Sequence, residues 1–262
     1  MTTDAKSRPR PALRGKSPAN RSLIRGMEIL RAFRPGSEVL GNGEIAERTG
    51  LSRATVSRLA QTLVVTGYLQ HDPALRAYRL GTAVLSLAHA MRSGSSLLAV
   101  ATPLMLALAV SRRINVGIAM PDREEMVYLE SIRYSPRVSL RRVVSGQRVP
   151  MELTSLGRAW LAVAPAAERD AILAQVARRR RGQWPALKRE IDAGIESVHR
   201  DGYCVAAWQP EVVALATPVV IDARLICVLN ASLTTEALPE AVVQNLKAPL
   251  LGLAAQIRKA IA

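Results

Sequence analysis

The chain has 262 residues, 49% of them apolar and 22% charged, which suffices for one large core or two ordinary ones. Thirty-six lysines and arginines against 21 acids leave a net charge of +15, an excess that calls for a polyanionic partner. Aromatics are only 3%, which argues against stacking single-stranded bases, and the two cysteines, Cys204 and Cys227, are too few for a disulfide framework or a cysteine zinc site.

Residues 1–20 are basic and proline-rich, and Met1 to Arg25 holds seven basic residues and one acid. Such a segment is expected to be a disordered tail, either solubilising or lying as an arm along a nucleic-acid backbone. No apolar stretch follows it to act as a leader, so the expectation is a soluble cytoplasmic protein. The first 80 residues carry fourteen basic and six acidic side chains, more than half of the net excess. The charge therefore concentrates in a small unit, residues 21–80.

That unit opens with a helix near Arg21–Ser22, for which Leu23, Met27, Leu30 and Ala32–Phe33 suggest the inward side. Pro35-Gly36-Ser37 ends it. A short helix around Ile45 and Ala46 follows, broken by Gly50, with Leu51 beneath the turn. Ser52 is a good N-cap, and Val56, Leu59 and Leu63 form the buried stripe of the next helix. Ala46, Gly50, Val56 and Leu59 have the spacing of a helix-turn-helix: a small residue at the crossing, glycine in the turn, two branched residues under the second helix. An ordinary helical hairpin is the alternative. The outward face then shows Ser52, Arg53, Ala54, Thr55, Ser57, Arg58 and Gln61, side chains suited to base edges and phosphates in a major groove. Gly67 to His71 and Arg76 to Leu80 read as two strands of a wing around Asp72-Pro73-Ala74, with Tyr68 or Leu69, Tyr78 and Leu80 inward and Arg76 and Arg79 outward. Gly41 to Ala46 also fits the dinucleotide fingerprint G-x-G-x-x-A. It lacks the preceding buried strand and the acid about twenty residues on.

Residues 81–95 are expected to be a linker helix with Val84, Leu87 and Met91 at spacings of three and four, packing on a twin or on its own domain. The uncharged run Ser93 to Ser111 is interrupted by Pro103 and is short for a bilayer, so it reads as a buried helix rather than a membrane span. Residues 96–262 form a long α/β remainder. Val116–Met120 and Met126–Glu130 are strands joined at Pro121–Asp122, with Glu124–Glu125 in a surface turn. Val138–Leu140 is a third strand, and Val212–Val220 with Leu225–Leu233 is a late pair. Val242, Leu246, Leu250, Leu253, Ile257 and Ile261 make the inward stripe of a last helix. Arg178 to Arg181 reads as a solvated helix end or a second nucleic-acid contact.

From Arg21 onward the chain resembles the IclR family of bacterial transcription regulators. The resemblance is carried by Glu44-Ile45-Ala46 to Gly50-Leu51, Ala54 to Leu59, Gly67-Tyr68-Leu69 and Tyr78 to Gly81. In the second half it rests on Gly146 to Pro150, Leu156 to Ala159, Arg200 to Tyr203 and Ala216 to Val219. It implies an α+β fold: a winged helix-turn-helix domain, a linker helix, and a GAF-like α/β effector domain with a curved antiparallel sheet. It also implies a small organic or aromatic effector lying over the sheet. By position the lining is Val138, Arg141, Val149, Glu152, Ser155, Leu156, Ala214 and Asn230, with Gly157 letting the helix start come close to the ligand and offer N–H groups to an anion. Glu152 departs from the family, where His or a small residue is usual, and the stretch Val205 to Glu211 is shorter than in acid-binding members. A buried Glu152 would either be neutralised by Arg141 or Arg158, suiting a weakly polar or aromatic effector, or favour a ligand hydroxyl or amine that donates to it; otherwise it points to solvent.

His71, His89 and His199 have no metal-ligand spacing, and no nucleophile elbow, zincin motif or phosphate loop occurs, so neither metal nor cofactor is expected. The reading is a sequence-specific regulator binding double-stranded DNA at a palindromic operator as a homodimer or a dimer of dimers. A non-specific architectural DNA protein and a small-molecule enzyme are the alternatives.

Overall fold

Asn20 caps the first helix, its side chain accepting from the N–H groups of Ser22 and Leu23 at 3.0 and 3.1 Å. This α1 runs Arg21–Arg31. The structure is a computed structural model that describes residues 19–134, 144–209, 212–222, 225–234 and 239–261. The expected strand at Val138–Leu140, the lining residues Val138 and Arg141, and nearly all of the basic tail lie outside the described residues. The chain divides into two units, Met1–Ala90 and Met91–Ala262, at a point inside the stretch read as the linker.

In the first unit β1 (Leu40–Gly41) leads into α2 (Asn42–Thr49) and α3 (Arg53–Val65), and β2 (Leu69–Asp72) and β3 (Ala77–Leu80) follow. The three strands form an antiparallel sheet in the order β1-β3-β2, with Tyr78 opposite both Leu40 and His71. Ile29, Phe33, Leu40, Ile45, Val56, Ala60, Leu63 and Leu69 make the core. Two expectations about this core are corrected. Leu23 and Met27 are exposed, and α1 buries Gly26 and Ile29 instead. The helix carries two apolar stripes, and only the second faces α2 and α3. Leu80 is also exposed, while its strand buries Ala77 and Tyr78. The next helix, α4 (Thr82–Ser93), buries no residue at all, with Leu85, Leu87 and Met91 exposed, so the alternative that it packs its stripe on its own domain is not what the fold shows.

The second unit is built on a six-stranded antiparallel sheet in the order β6-β5-β4-β9-β8-β7. Its elements are α5 (Ser96–Arg112), β4 (Asn115–Asp122), β5 (Glu125–Ile132), β6 (Arg148–Pro150), α6 (Ser155–Val163), α7 (Ala166–Arg179), α8 (Trp184–Asp201), β7 (Cys204–Gln209), β8 (Val212–Val220), β9 (Ile226–Thr234) and α9 (Pro239–Ile261). Alternating side chains give the sheet two buried faces. Val116, Ile118, Leu215, Leu229 and Ala231 pack under α5 and α9, whereas Ala119, Met126, Tyr128, Ala216 and Val228 pack under α6 and α8. The apolar run read as a buried helix is α5, burying Leu97, Leu98, Ala101, Met105 and Ala109. Among the described residues no single helix is long and apolar enough to cross a membrane. The α9 stripe is buried from Val242 to Ile257 as its spacing predicts. The β4–β5 turn falls two residues later than expected, at Arg123–Glu124, and its flanking acids Asp122 and Glu125 both grip Arg148 of β6.

Candidate nucleic-acid interface and effector face

The turn between α2 and α3 is fixed by local chemistry. The Glu44 carboxylate accepts from the Gly41 N–H at 2.8 Å, closing the first turn of α2, so the apparent dinucleotide fingerprint is a helix start. Gly50 ends α2 at φ 69°, a left-handed conformation that glycine adopts without a Cβ penalty. Ser52 then caps α3, accepting from the Thr55 N–H at 3.3 Å, with the two hydroxyls 2.9 Å apart. Buried Val56, Ala60 and Leu63 hold one face of α3, which leaves Arg53, Ala54, Ser57, Arg58 and Gln61 exposed and Thr55 half-buried. Of the seven residues read as the recognition face, Ser52 to Arg58 lie at the cap and first two turns of α3, and Gln61 follows about a turn later on the same side.

The wing is braced at its tip, where Asp72 accepts from the N–H groups of Ala74 and Leu75, both at 3.1 Å. Arg76 is exposed there, and Arg79 pairs with Asp72 at 3.6 Å. Arg48, the other cation of the motif, is structural. It donates to the Ala32 carbonyl at 3.0 Å and to Ser37 at 3.1 Å, tying the end of α1 to α2.

In the second unit the residues read as effector lining separate into two groups. Ala214 and Asn230 are buried neighbours on β8 and β9, on the sheet face that α6 covers. Val149 lies on β6, three strands from Asn230, or about 14 Å at ~4.8 Å per strand. Between them stand two residues that the sequence reading did not assign to the site. A Cβ on Gly117 of β4 would lie 2.5 Å from both the Asn230 Oδ1 and the Tyr128 ring, so the bare glycine is what lets these two polar side chains fold against the sheet. Burial pushes the Tyr128 hydroxyl up to about 12, against the opposing influence of Asn230. Among the described residues Asn230 Oδ1 has no hydrogen-bond partner. A glycine inside an apolar strand was the available signal.

The start of α6 is fixed by its own cap. Thr154 is the N-cap, accepting from the Gly157 N–H at 3.2 Å and donating to the Pro150 carbonyl at 2.9 Å, so the helix starts at Ser155 as expected. A Cβ on Gly157 would sit 2.2 Å from the Met151 backbone. Gly157 therefore serves the close packing of α6 on the chain before it, and not ligand approach. Ser155 and Leu156 are buried in the same turn.

Glu152 is fully buried, so it does not point to solvent. Its Oε1 accepts from Arg179 at 3.0 Å and Arg180 at 3.3 Å, at the end of α7. Arg158, one of the two expected partners, instead donates to the Glu152 backbone carbonyl at 3.3 Å and pairs with Glu190 of α8 at 2.6 Å. The four-arginine run is a solvated helix end, with Arg178, Arg179 and Arg181 exposed at the close of α7, and two of its members, Arg179 and Arg180, also neutralise a buried carboxylate.

One further contact links the strand carrying Tyr128 to the end of α4. Arg92 donates to the Leu129 carbonyl and to Glu130 at 2.5 Å, and Glu130 also accepts from Ser145 and the Ser131 N–H, each at 2.9 Å. Burial alone would raise the Glu130 carboxyl, but these donors outweigh it and hold the group below its ordinary value.

An exposed, capped α3 behind a tight turn, with a braced wing beside it, defines a winged helix-turn-helix DNA-binding unit followed by an antiparallel α/β domain. The IclR helix-turn-helix domain model matches residues 22–73, and the bacterial transcriptional regulator IclR C-terminal model matches residues 89–259. The chain belongs to the IclR family of transcriptional regulators, and it is a regulator rather than an enzyme. It is 36% identical over 188 residues to the transcriptional regulator TsaQ1/TsaQ2 of Comamonas testosteroni, covering 71% of this chain and 66% of that protein. It is 26% identical to the p-hydroxybenzoate hydroxylase transcriptional activator of Acinetobacter baylyi, over 91% of each. The crystal structure of an IclR family regulator from Brucella abortus has 34% identity and a TM-score of 0.85, covering 94% of each chain.

Proposed function

We propose that the chain is a sequence-specific, effector-responsive regulator that binds a palindromic operator as a homodimer. The observation that carries this is the exposed cationic face of α3, held rigid by the Ser52 cap and the Gly50 turn. Arg53 sits at the helix start that enters a major groove and reads base edges. Arg58, about a turn and a half later, grips phosphate. Ser52, Ala54, Thr55, Ser57 and Gln61 complete the α3 contact, and Arg76 and Arg79 on the wing reach the flanking backbone. The exposed stripe of α4 supports pairing with a second copy.

The effector reading rests on Asn230, Tyr128 and Ala214, with the α6 start (Ser155, Leu156) above them and Val149 at the sheet edge. These groups favour a weakly polar or aromatic molecule over a small dicarboxylate. Glu152 sets the charge of this region indirectly, through its pair with Arg179 and Arg180. Because Arg92 grips β5 one residue beyond Tyr128, a shift of that strand on ligand binding would pull on the end of α4. The route is a physical linkage between two arrangements, testable by uncoupling.

Operator binding measured across salt concentrations tests the first half. A slope of log K against log[salt] on the order of −6 is expected if each unit neutralises three or four phosphates, and a slope near −1 sinks it. Arg58→Ala should weaken operator and random DNA alike, whereas Arg53→Ala should also reduce discrimination by about 1–3 kcal/mol. For the second half, a thermal-shift screen of phenols, amines and organic acids, p-hydroxybenzoate included, finds the effector. Arg92→Ala should then keep both operator and effector affinity and lose the effect of one on the other. An intact response in that variant removes the linkage.

A further inference from the structure

The glycine pair at the start of α2 resembles a nucleotide fingerprint in sequence and is a helix start in the fold, yet the helix start explains only one of the two. Gly41 is the cap, and the Glu44 carboxylate accepts from its N–H at 2.8 Å. Gly43 is the second residue of the helix, where glycine is less stable than alanine. Its φ is not left-handed, so the backbone does not require a missing side chain there.

What lies over Gly43 is Arg53, the first residue of α3. A Cβ on Gly43 would meet the Arg53 guanidinium at 3.5 Å from Nη2, 3.8 Å from Cζ and 3.8 Å from Nε. Three atoms of one planar group at such even distances mean that the group lies face-on to this point. Among the described residues Arg53 makes no hydrogen bond or ion pair, and Glu44, the acid in the first turn of α2, turns back to Gly41. All the guanidinium donors therefore remain open. Arg48 spends its own on Ala32 and Ser37. The N-terminal end of α2 repels a cation, so attraction does not bring Arg53 here. The bare Cα of Gly43 admits it, by leaving room for a flat group.

We infer that Gly43 is a positioning residue for DNA discrimination: it seats the Arg53 guanidinium against α2 with its donors free to read a base edge. The inference rests on the base-reading role proposed for Arg53. An exposed arginine otherwise samples many rotamers, and fixing one on DNA subtracts from affinity. A bidentate contact to guanine needs the planar group in one orientation, so a seat formed beforehand favours the correct base. A phosphate carries no sequence information and accepts a guanidinium from many directions, so loss of the seat should spare random DNA. The distances also grade the substitutions. A methyl at 3.5–3.8 Å is in ordinary van der Waals contact and keeps the seat, whereas a side chain that continues past Cβ takes the guanidinium's place.

Fluorescence anisotropy of the full-length chain tests this, on a duplex that the wild type selects from a randomised pool and on a random duplex, at one salt concentration. Circular dichroism and Tm are the folding controls. Gly43→Ala should hold the selected-to-random affinity ratio within roughly twofold of wild type, with Tm equal or higher. Gly43→Gln, uncharged and helix-favouring, should lower that ratio roughly tenfold and leave random-DNA affinity unchanged. In an Arg53→Ala background the same Gly43→Gln change should do nothing further, as coupling through one contact requires. A folded Gly43→Gln chain that discriminates like wild type, or that loses as much again without Arg53, overturns the inference and leaves the base-reading role standing. A Gly43→Ala chain that loses as much as Gly43→Gln does the same. Full discrimination in Arg53→Ala alone removes the base-reading role, and this inference with it.

Discussion

In the DNA-binding unit the side chains assigned to function stand outside the core: Arg53, Ser57, Arg58 and Gln61 project from α3, and beneath them the helix is held by Val56, Ala60 and Leu63. In the effector unit the corresponding polar groups lie inside. Glu152, Arg158 and Asn230 are buried, as is Tyr128, and each is in contact with parts of the chain distant in sequence. The first arrangement separates binding from stability, since an exposed side chain can change with little effect on folding. The second couples them, because a buried polar group must be satisfied or the fold loses stability. A regulator whose effector domain has to respond to a ligand gains from that coupling, and its DNA-reading domain gains from the separation.

The largest expected effect separates the units by pH. Burial pushes Tyr128, Cys204 and Cys227 each up to about 12, while the same groups in an unfolded chain deprotonate near 10 and 9. Between those values the native state keeps protons that the unfolded state sheds, so the stability these groups contribute is complete below about pH 9 and is lost as pH rises to about 12. Near-ultraviolet circular dichroism should show the effector unit unfolding in that window. Unchanged signals up to pH 12 would refute the tie between burial and stability.

Next comes the buried carboxylate. Arg179→Ala/Arg180→Ala leaves Glu152 without a counter-charge and should destabilise the effector unit by about 3 kcal/mol in denaturant melts. Glu152→Gln should cost less, because arginines that are about one-third to one-half exposed can turn to water. Equal losses would mean that the pair carries no burial penalty. Gly117→Ala follows, at about 1–3 kcal/mol, because its methyl must displace Asn230 or Tyr128. It should also weaken any ligand found in the thermal-shift screen, while operator binding by the effector-free chain stays as it was. The smallest change is Ser52→Ala, where loss of the α3 cap should cost about 1 kcal/mol in the DNA-binding unit alone. Destabilisation spreading to the effector unit would break the separation of the two.

The recognition helix was legible because every determinant is local. A cap, a turn glycine and a stripe at spacings of three and four fix which side of α3 is out. The wing strands and the α9 stripe were legible for the same reason. Where two stripes compete on one helix, periodicity cannot choose between them. Leu23 and Met27 repeat as regularly as the residues α1 buries, and only the packing of α1 on α2 and α3 decides which set faces inward. Gly157 looked like room for a ligand because a missing side chain shows space without showing what fills it, and the Met151 backbone fills it.

The sequence by itself determined the order of elements, the helix-turn-helix and its outward residues, the family, and the excess charge that suits a DNA partner. Those follow from contacts a few residues apart and from composition. Tertiary structure alone decided that Glu152 meets Arg179 and Arg180, and that Gly117 makes room for Tyr128 beside Asn230. These are pairings between residues roughly ten to more than a hundred positions apart. No local spacing encodes which distant group arrives, because that is fixed by how the strands order themselves in the sheet.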